Sequence, residues 1–330
     1  MSRKKKLIKI IVVNLAAFIL LLLSCMYFFA LYAYRYDLRR MRPLFYADGS
    51  ENLRHILRPN AVASSEGIEY KINALGFRDR EYPVAKDESS YRIICVGDSM
   101  TFGQAVALDD VYAKVLERSL RSKYSKNIEV INAGVSGYNT YDEHWFIKHK
   151  LLGLNPDLII LGFLISNDPE DPSLPFNNKM NIQHESQDQQ SSLAYYIQRK
   201  SRRKELDKEN YWATYKSKMW DPQGAQWKRC LQALQDIRDL TAEHSIELLV
   251  LIIPEPLERP YDYLEHHSQL QAALAGLGIW YVDVLPEMVK RGFFYLPANR
   301  EDRHPHPQVH RIYAQTALAA MEKEGLILLK

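Results

Sequence analysis

The chain has 330 residues, 47% of them hydrophobic and 25% charged, with a formal net charge of +3. This is ordinary globular composition, with room for one large domain or two smaller ones, and it gives no bulk electrostatic case for nucleic acid. Three cysteines, Cys25, Cys95 and Cys230, show no metal-type spacing and exclude a structural disulfide framework.

Residues 1–9 form a basic segment containing Arg3, Lys4, Lys5, Lys6 and Lys9. Residues 10–34 follow as an almost unbroken apolar run, interrupted by Asn14 and Ser24. About 20 residues cross a bilayer core as a helix, so this run predicts a transmembrane anchor. Tyr27, Tyr32, Tyr34 and Tyr36 gather toward its carboxyl end, where aromatic rings favour the interface. Arg35, Arg39, Arg40 and Arg42 follow the span. The positive-inside rule therefore gives a mild bias to a cytoplasmic amino terminus, with the bulk of the chain extracytoplasmic. Leu22-Leu23-Ser24-Cys25 resembles a lipobox, but Met26 to Leu31 continue the apolar run where a lipidated cysteine usually meets a polar tether. No small-x-small cleavage site precedes the polar region. The expectation is an uncleaved, single-pass anchor in the cell membrane.

Residues 35–90 read as a polar juxtamembrane region with scattered Pro and Gly, in which Asn73–Arg78 are candidates to pack back on the next domain. From Tyr91 onward, short apolar runs alternate with helical patterns. Strands are predicted at 92–96, 128–132, 158–163, 247–253 and 280–282. Helices are predicted at 139–152, at 226–244, and around Val111, Val115, Leu116 and Leu120, behind the potential caps Asp109 and Asp110. Strands separated by helices argue for βαβ units and a parallel sheet covered on both faces. Residues 169–222 break the rhythm with a polar insertion too long for a plain connection. Its Tyr195, Tyr196, Trp212 and Trp220 would line a substrate site or merely pack the loop. His266 and His267 read as exposed helix surface.

Four separated pieces carry chemistry. Gly97-Asp98-Ser99 follows the first predicted strand and places a hydroxyl at its carboxyl end, the ligand-binding end of open α/β sheets. Gly134-Val135-Ser136-Gly137 follows the second strand, and Ser166-Asn167-Asp168 the third. Glu301-Asp302-Arg303-His304-Pro305 lies near the carboxyl terminus. As bare residues, Ser99 would cap a helix, the glycines would serve turns, and Asp98 and Asp168 would shape theirs. Asp302, His304, His306 and His310 also look like metal ligands. However, the proline between His304 and His306 fixes a local path that need not converge both rings, so no metal site and no cofactor is expected.

The order and spacing of these four pieces resemble the SGNH/GDSL hydrolase superfamily, from Tyr91 to the carboxyl terminus. The resemblance implies a three-layer α/β/α fold with a flavodoxin-like sheet and esterase, lipase, deacetylase or acyltransferase activity. It implies that Ser99 is the nucleophile and His304 the base. Gly137 and Asn167 would join the Ser99 N–H in holding the oxyanion. The family's acid usually stands three residues before the histidine, with two also found; Glu301 is at three and Asp302 at two, and Asp302 is the assignment made here. Three positions depart from the family pattern. Ile165 replaces a glycine in the third piece, which would reshape the oxyanion pocket, and His306 and Val309-His310 stand where relatives carry Asn and Gly-His. The implied function is a membrane-anchored serine esterase acting on an ester-bearing small molecule, lipid or glycan. The alternatives are an O-acyltransferase sharing the acyl-enzyme and a non-catalytic envelope-binding protein.

Overall fold

The computed structural model describes residues 3–41, 44–46, 53, 55–65, 67–124, 127–170, 211–255, 261–292, 296–298 and 304–327, with backbone alone for 32–41 and 211–214. Helix α1 runs over Arg3–Met41. Its apolar side chains face outward, with Phe29 73% and Leu20 68% exposed, so it is not a core helix. Among the described residues it is the one helix long and apolar enough to cross a bilayer, and its Arg3–Leu31 stretch reaches a mean hydropathy of 2.6.

Two short antiparallel pairs follow: β1 (Phe45–Tyr46) with β2 (Ile56–Leu57), and β3 (Val62–Ser65) with β4 (Ile68–Lys71). The main sheet is parallel and has five strands: β5 (Tyr91–Gly97), β6 (Ile128–Gly134), β7 (Leu158–Leu164), β8 (Glu247–Ile253) and β9 (Trp280–Asp283). Their spatial order is β6-β5-β7-β8-β9. This is the 2-1-3-4-5 order of flavodoxin-like folds, whose direction of winding reverses between the first and third strands. All five strands coincide with predicted ones, each extended by no more than two residues at an end.

The strands are apolar without alternation because both faces are covered. Ile94 and Val96 of β5 point to one core face, shared with α4 (Thr140–Phe146), α6 (Ala225–Glu243) and α7 (Leu264–Leu277). Ile93 and Cys95 point to the other, shared with α3 (Tyr112–Tyr124), α8 (Leu285–Lys290) and α9 (Pro307–Lys323). The result is a three-layer α/β/α fold. Asp109 and Asp110 do not cap α3 directly; they lie in a 3-10 turn, Leu108–Asp110, that precedes it. The predicted helix at 139–152 is α4 continued by a π-turn (Ile147–Leu151) and a 3-10 turn. Of the polar insertion, residues 171–210 lie outside the described set, with Tyr195 and Tyr196; α5 (Tyr211–Met219) closes it. Trp220 is buried against Trp227 and Phe163, so it packs the core and lines no site.

Strand β6 is at the sheet edge, yet every residue in it is buried. Its outward backbone groups, which would otherwise be open for pairing, meet side chains. Asp79 accepts the Asn132 N–H at 2.8 Å and Glu117 accepts the Val130 N–H at 3.3 Å. Lys114 Nζ and the Tyr82 hydroxyl both donate to the Val130 carbonyl, at 2.5 and 3.2 Å. Residues 78–82 therefore act as an edge seal made of side chains instead of a sixth strand.

Candidate active site

Strand β5 ends at Gly97, and Asp98 caps the single helical turn α2 (Ser99–Phe102), accepting the Met100 N–H at 2.8 Å. Gly103 closes that turn with φ +78°, donating to the Ser99 carbonyl at 3.0 Å. The turn lies flat on the sheet. A Cβ on Gly97 would collide with the Thr101 hydroxyl, and one on Gly134 with the Phe102 backbone nitrogen. Both positions need glycine for this close approach. Arg78 fastens the far side of the turn: its guanidinium donates to the carbonyls of Phe102 (3.0 Å), Gly103 (2.5 Å) and Val106 (2.6 Å) while lying over the Tyr70 ring.

His304 reaches the same place from the other end of the chain. Its backbone carbonyl accepts from Ala298 N at 2.7 Å, and His306 N donates to the Leu296 carbonyl at 2.9 Å. With the Pro297–Pro305 bridge these bonds make a small antiparallel clasp just before α9. The His304 ring, half-buried, places Nε2 2.8 Å from Ser99 Oγ across 205 positions of sequence. That is hydrogen-bond reach for a hydroxyl and the base that would take its proton. Asp302 and Glu301 lie outside the described residues.

The other two pieces come to the same sheet end. Gly137 adopts φ +87°, a left-handed conformation that favours glycine. Its loop is held by Val135 N donating to the Gly97 carbonyl at 2.9 Å and by Asn139, which caps α4 in a capping box. Asn167, after β7, donates its amide to Asp98 Oδ2 at 3.0 Å and to the Tyr138 carbonyl at 2.9 Å. One side chain thus ties together the turns that follow β5, β6 and β7. Asp168 closes its own turn, accepting Leu164 N at 2.5 Å and the Thr140 hydroxyl at 2.8 Å.

The GDSL-like lipase/acylhydrolase family model matches residues 95–312, about two thirds of the chain. The chain belongs to the GDSL-like lipase/acylhydrolase family. No curated protein matches it in sequence. Solved structures resemble it at low identity. An α/β hydrolase from the metagenome of Lake Arreo, Spain, is 17% identical, with 70% of this chain and 95% of that one covered and a TM-score of 0.45. A catalytic mutant of an acetylxylan esterase from Geobacillus stearothermophilus is 15% identical, with 70% and 94% covered and a TM-score of 0.44. A two-domain esterase active on acetylated mannans is 14% identical, with 71% of this chain and 49% of that one covered and a TM-score of 0.44.

This acylhydrolase is an ester-hydrolysing enzyme by family, and its site differs from the sequence reading at several residues. Ile165, in place of the family glycine, is fully buried in the core and donates its N–H to the Ile253 carbonyl at 3.0 Å. His310 is buried against Tyr112, accepts the Tyr112 N–H at 3.3 Å, and is pushed down to about 3 by burial, which keeps it neutral. His306 caps α9 through Nδ1 and Gln308 N at 3.2 Å. The histidines near the tail therefore serve three separate purposes. His267 is not on an exposed surface: it is buried between the Tyr261 hydroxyl (2.7 Å) and Asp283 (2.8 Å), at the end of β9. His266 is half-buried and stacks on Trp220.

Three residues at the site carry no motif. His55 bonds the Ser136 carbonyl through Nε2 at 2.9 Å, and its own carbonyl accepts from the Tyr138 hydroxyl at 2.8 Å, so residues before the sheet brace the Gly137 loop. Glu255, just past β8, accepts the Ser166 hydroxyl beside Asn167. Glu143 lies beneath the Asn167 turn, against Asp168. A sequence signal existed only for Glu255, which follows a predicted strand at its carboxyl end.

Proposed function

We propose that this acylhydrolase is a membrane-anchored serine esterase in which Ser99, His304 and Asp302 form the triad. The observation that carries the reading is the 2.8 Å hydrogen bond between His304 Nε2 and Ser99 Oγ. Ser99 attacks the ester carbonyl as its proton passes to His304 Nε2. The imidazolium then gives that proton to the departing alcohol. Water repeats the sequence on the acyl-enzyme, releasing the acid and restoring Ser99. Asp302 holds the His304 tautomer and balances the imidazolium. The N–H groups of Ser99 and Gly137 and the Asn167 amide stabilise the tetrahedral oxyanion. In the last role Asn167 turns one N–H from its resting acceptor toward the substrate.

Helix α1 holds the enzyme at the membrane, with the basic residues 3–9 on the cytoplasmic side and the catalytic domain outside. The substrate is an acyl ester presented at that surface, on an envelope glycan or lipid. The apolar side chains of α1 are exposed from Leu7 to Phe29, which supports a lipid environment for the helix.

Covalent labelling of the full-length protein by a fluorophosphonate tests the nucleophile. Wild type should label and Ser99→Ala should not; equal labelling of both would overturn the assignment. Asn167→Ala should lower kcat about 10²–10³-fold through loss of one oxyanion donor. Asp302→Asn should cost about 10⁴-fold, and Glu301→Gln far less; the reverse ranking would move the acid to Glu301. A reporter fused at the carboxyl terminus reads the side of the membrane.

A further inference from the structure

Beneath the site lies a carboxyl group with no cation to meet it among the described residues. Glu143, on α4, is fully buried, and neither of its side-chain oxygens has an N–H or O–H donor among the described residues. What it reaches is the Asp168 carboxyl. Asp168 is also buried, and its two oxygens already accept the Thr140 hydroxyl and the Leu164 N–H. The other titratable groups facing Glu143 are Asp98 from the turn after β5, Asp142 on its own helix and Cys230 from α6. All are acids.

Two carboxylates in contact in a dry interior cannot both keep a negative charge. The distribution of donors decides which one holds the proton. Asp168 has two donors that stabilise its anion. Glu143 has none, and as a neutral acid it supplies the one group that suits an anion beside it, an O–H. We propose that Glu143 is held as a neutral carboxylic acid donating to Asp168, and that this proton fixes the Leu164–Asp168 turn and, through it, the Asn167 amide. Burial first, and then the Asp168 charge, push the Glu143 carboxyl well above the usual carboxylate range.

The route from proton to site is short. Asp168 accepts Leu164 N, while Asn167 N and Asp168 N both donate to the Leu164 carbonyl at 3.1 Å. Asn167 stands on that turn and spans to Asp98 and Tyr138. An ionised Glu143 would repel Asp168 and loosen the turn that aims the amide. Glu143 touches no reacting atom and is a positioning residue. Its effect on turnover rests on the esterase reading; the proton itself does not.

The test compares full-length wild type, Glu143→Gln and Glu143→Leu in detergent. The infrared spectrum of wild type at pH 7 should contain a neutral carboxylic acid carbonyl stretch that Glu143→Gln lacks. The pH dependence of unfolding has a fixed sign. A carboxyl whose folded pKa lies above its unfolded value takes up a proton on folding once pH exceeds the unfolded value. Wild type should therefore lose up to about tenfold in its folding equilibrium constant per pH unit, relative to Glu143→Gln, from about pH 5 upward. On a chromogenic acetyl ester, Glu143→Leu should lower kcat by about tenfold or more with KM within about twofold, and Glu143→Gln should restore most of kcat. Equal slopes in wild type and Glu143→Gln, or no neutral-acid stretch, would overturn the buried proton. An unchanged kcat in Glu143→Leu would overturn the positioning role. Should Glu143→Leu not fold, the spectrum and the slope decide. Wild type without Ser99-dependent turnover would sink the esterase reading and leave the proton readouts standing.

Discussion

Two buried acidic clusters lie against the sheet, one at its β6 edge and one at the carboxyl end of its strands, and they differ in the cations that meet them. At the edge of β6, Asp79 and Glu117 meet Lys114 at 2.8 and 3.0 Å, and Arg80 and Arg121 reach Glu117 at 3.0 Å each. At the carboxyl end of the strands, Asp98, Asp168 and Glu143 sit together with no Lys or Arg paired to them among the described residues, and His304 faces Asp98 alone. The first cluster must present fixed charge, because its anions accept the N–H groups of Asn132 and Val130 that have no strand partner. The second must be compact, because it lies under three turns that converge on Ser99. The Glu117 and Glu143 carboxyls are thus shifted in opposite directions according to the groups around them.

The largest break in this comparison is to remove the cation from the edge cluster. Lys114→Met leaves Asp79 and Glu117 facing one another and withdraws one of the two donors from the Val130 carbonyl. Breaking a buried pair on one side costs about 3–5 kcal/mol, so urea unfolding should show a loss of that order. Loss of less than 1 kcal/mol would mean that water reaches the edge and that the seal is not dry. Next comes Arg78→Lys. The three carbonyls that Arg78 serves surround the end of α2, and a lysine ammonium cannot fork to them. The expected cost is about 1–3 kcal/mol, with a fall in kcat because the same carbonyls belong to the turn that starts at Ser99. Equal stability with full activity would show that charge alone, and not the guanidinium shape, is needed there. The Arg78 guanidinium is itself lowered to about 10 by burial, so its hold should weaken only in strong alkali.

The sheet was legible because its strands follow a short-range rule, apolar residues buried on both faces; the pairing of Ser99 with His304, 205 positions apart, followed only from the family resemblance. The edge seal was not legible. Residues 78–82 read Arg-Asp-Arg-Glu-Tyr, a polar stretch without period, and only the register of β6 reveals that their side chains replace a strand. Glu143 was hidden for a similar reason. An acid in the first turn of a helix looks like ordinary dipole compensation, and nothing in the sequence says that the third layer covers it. His267 is hidden in the same way, since the partners that bury and clamp its ring, Tyr261 and Asp283, lie outside its own helix. Asp302 and Glu301 lie outside the described residues, so the acid is assigned from the family resemblance.

The smallest effect sharpens the comparison most, because Glu117 and Glu143 should respond to pH with opposite slopes. Burial pushes the Glu117 carboxyl up, but Lys114 and Arg80 outweigh it and hold the group below its usual value. A depressed carboxyl contributes stability above its unfolded pKa and loses it as pH falls through the folded one. Glu117→Gln should therefore be less stable than wild type at pH 7 by about 1 kcal/mol, and the gap should close as pH drops below about 4. For Glu143→Gln the gap should instead shift in favour of the variant as pH rises from about 5. Chemical denaturation across that range with both single variants reads both slopes in one series. If the two Glu→Gln changes gave slopes of the same sign, cation matching would not be what separates the clusters, and the donors around Asp168 would have to be supplied by something other than a proton on Glu143.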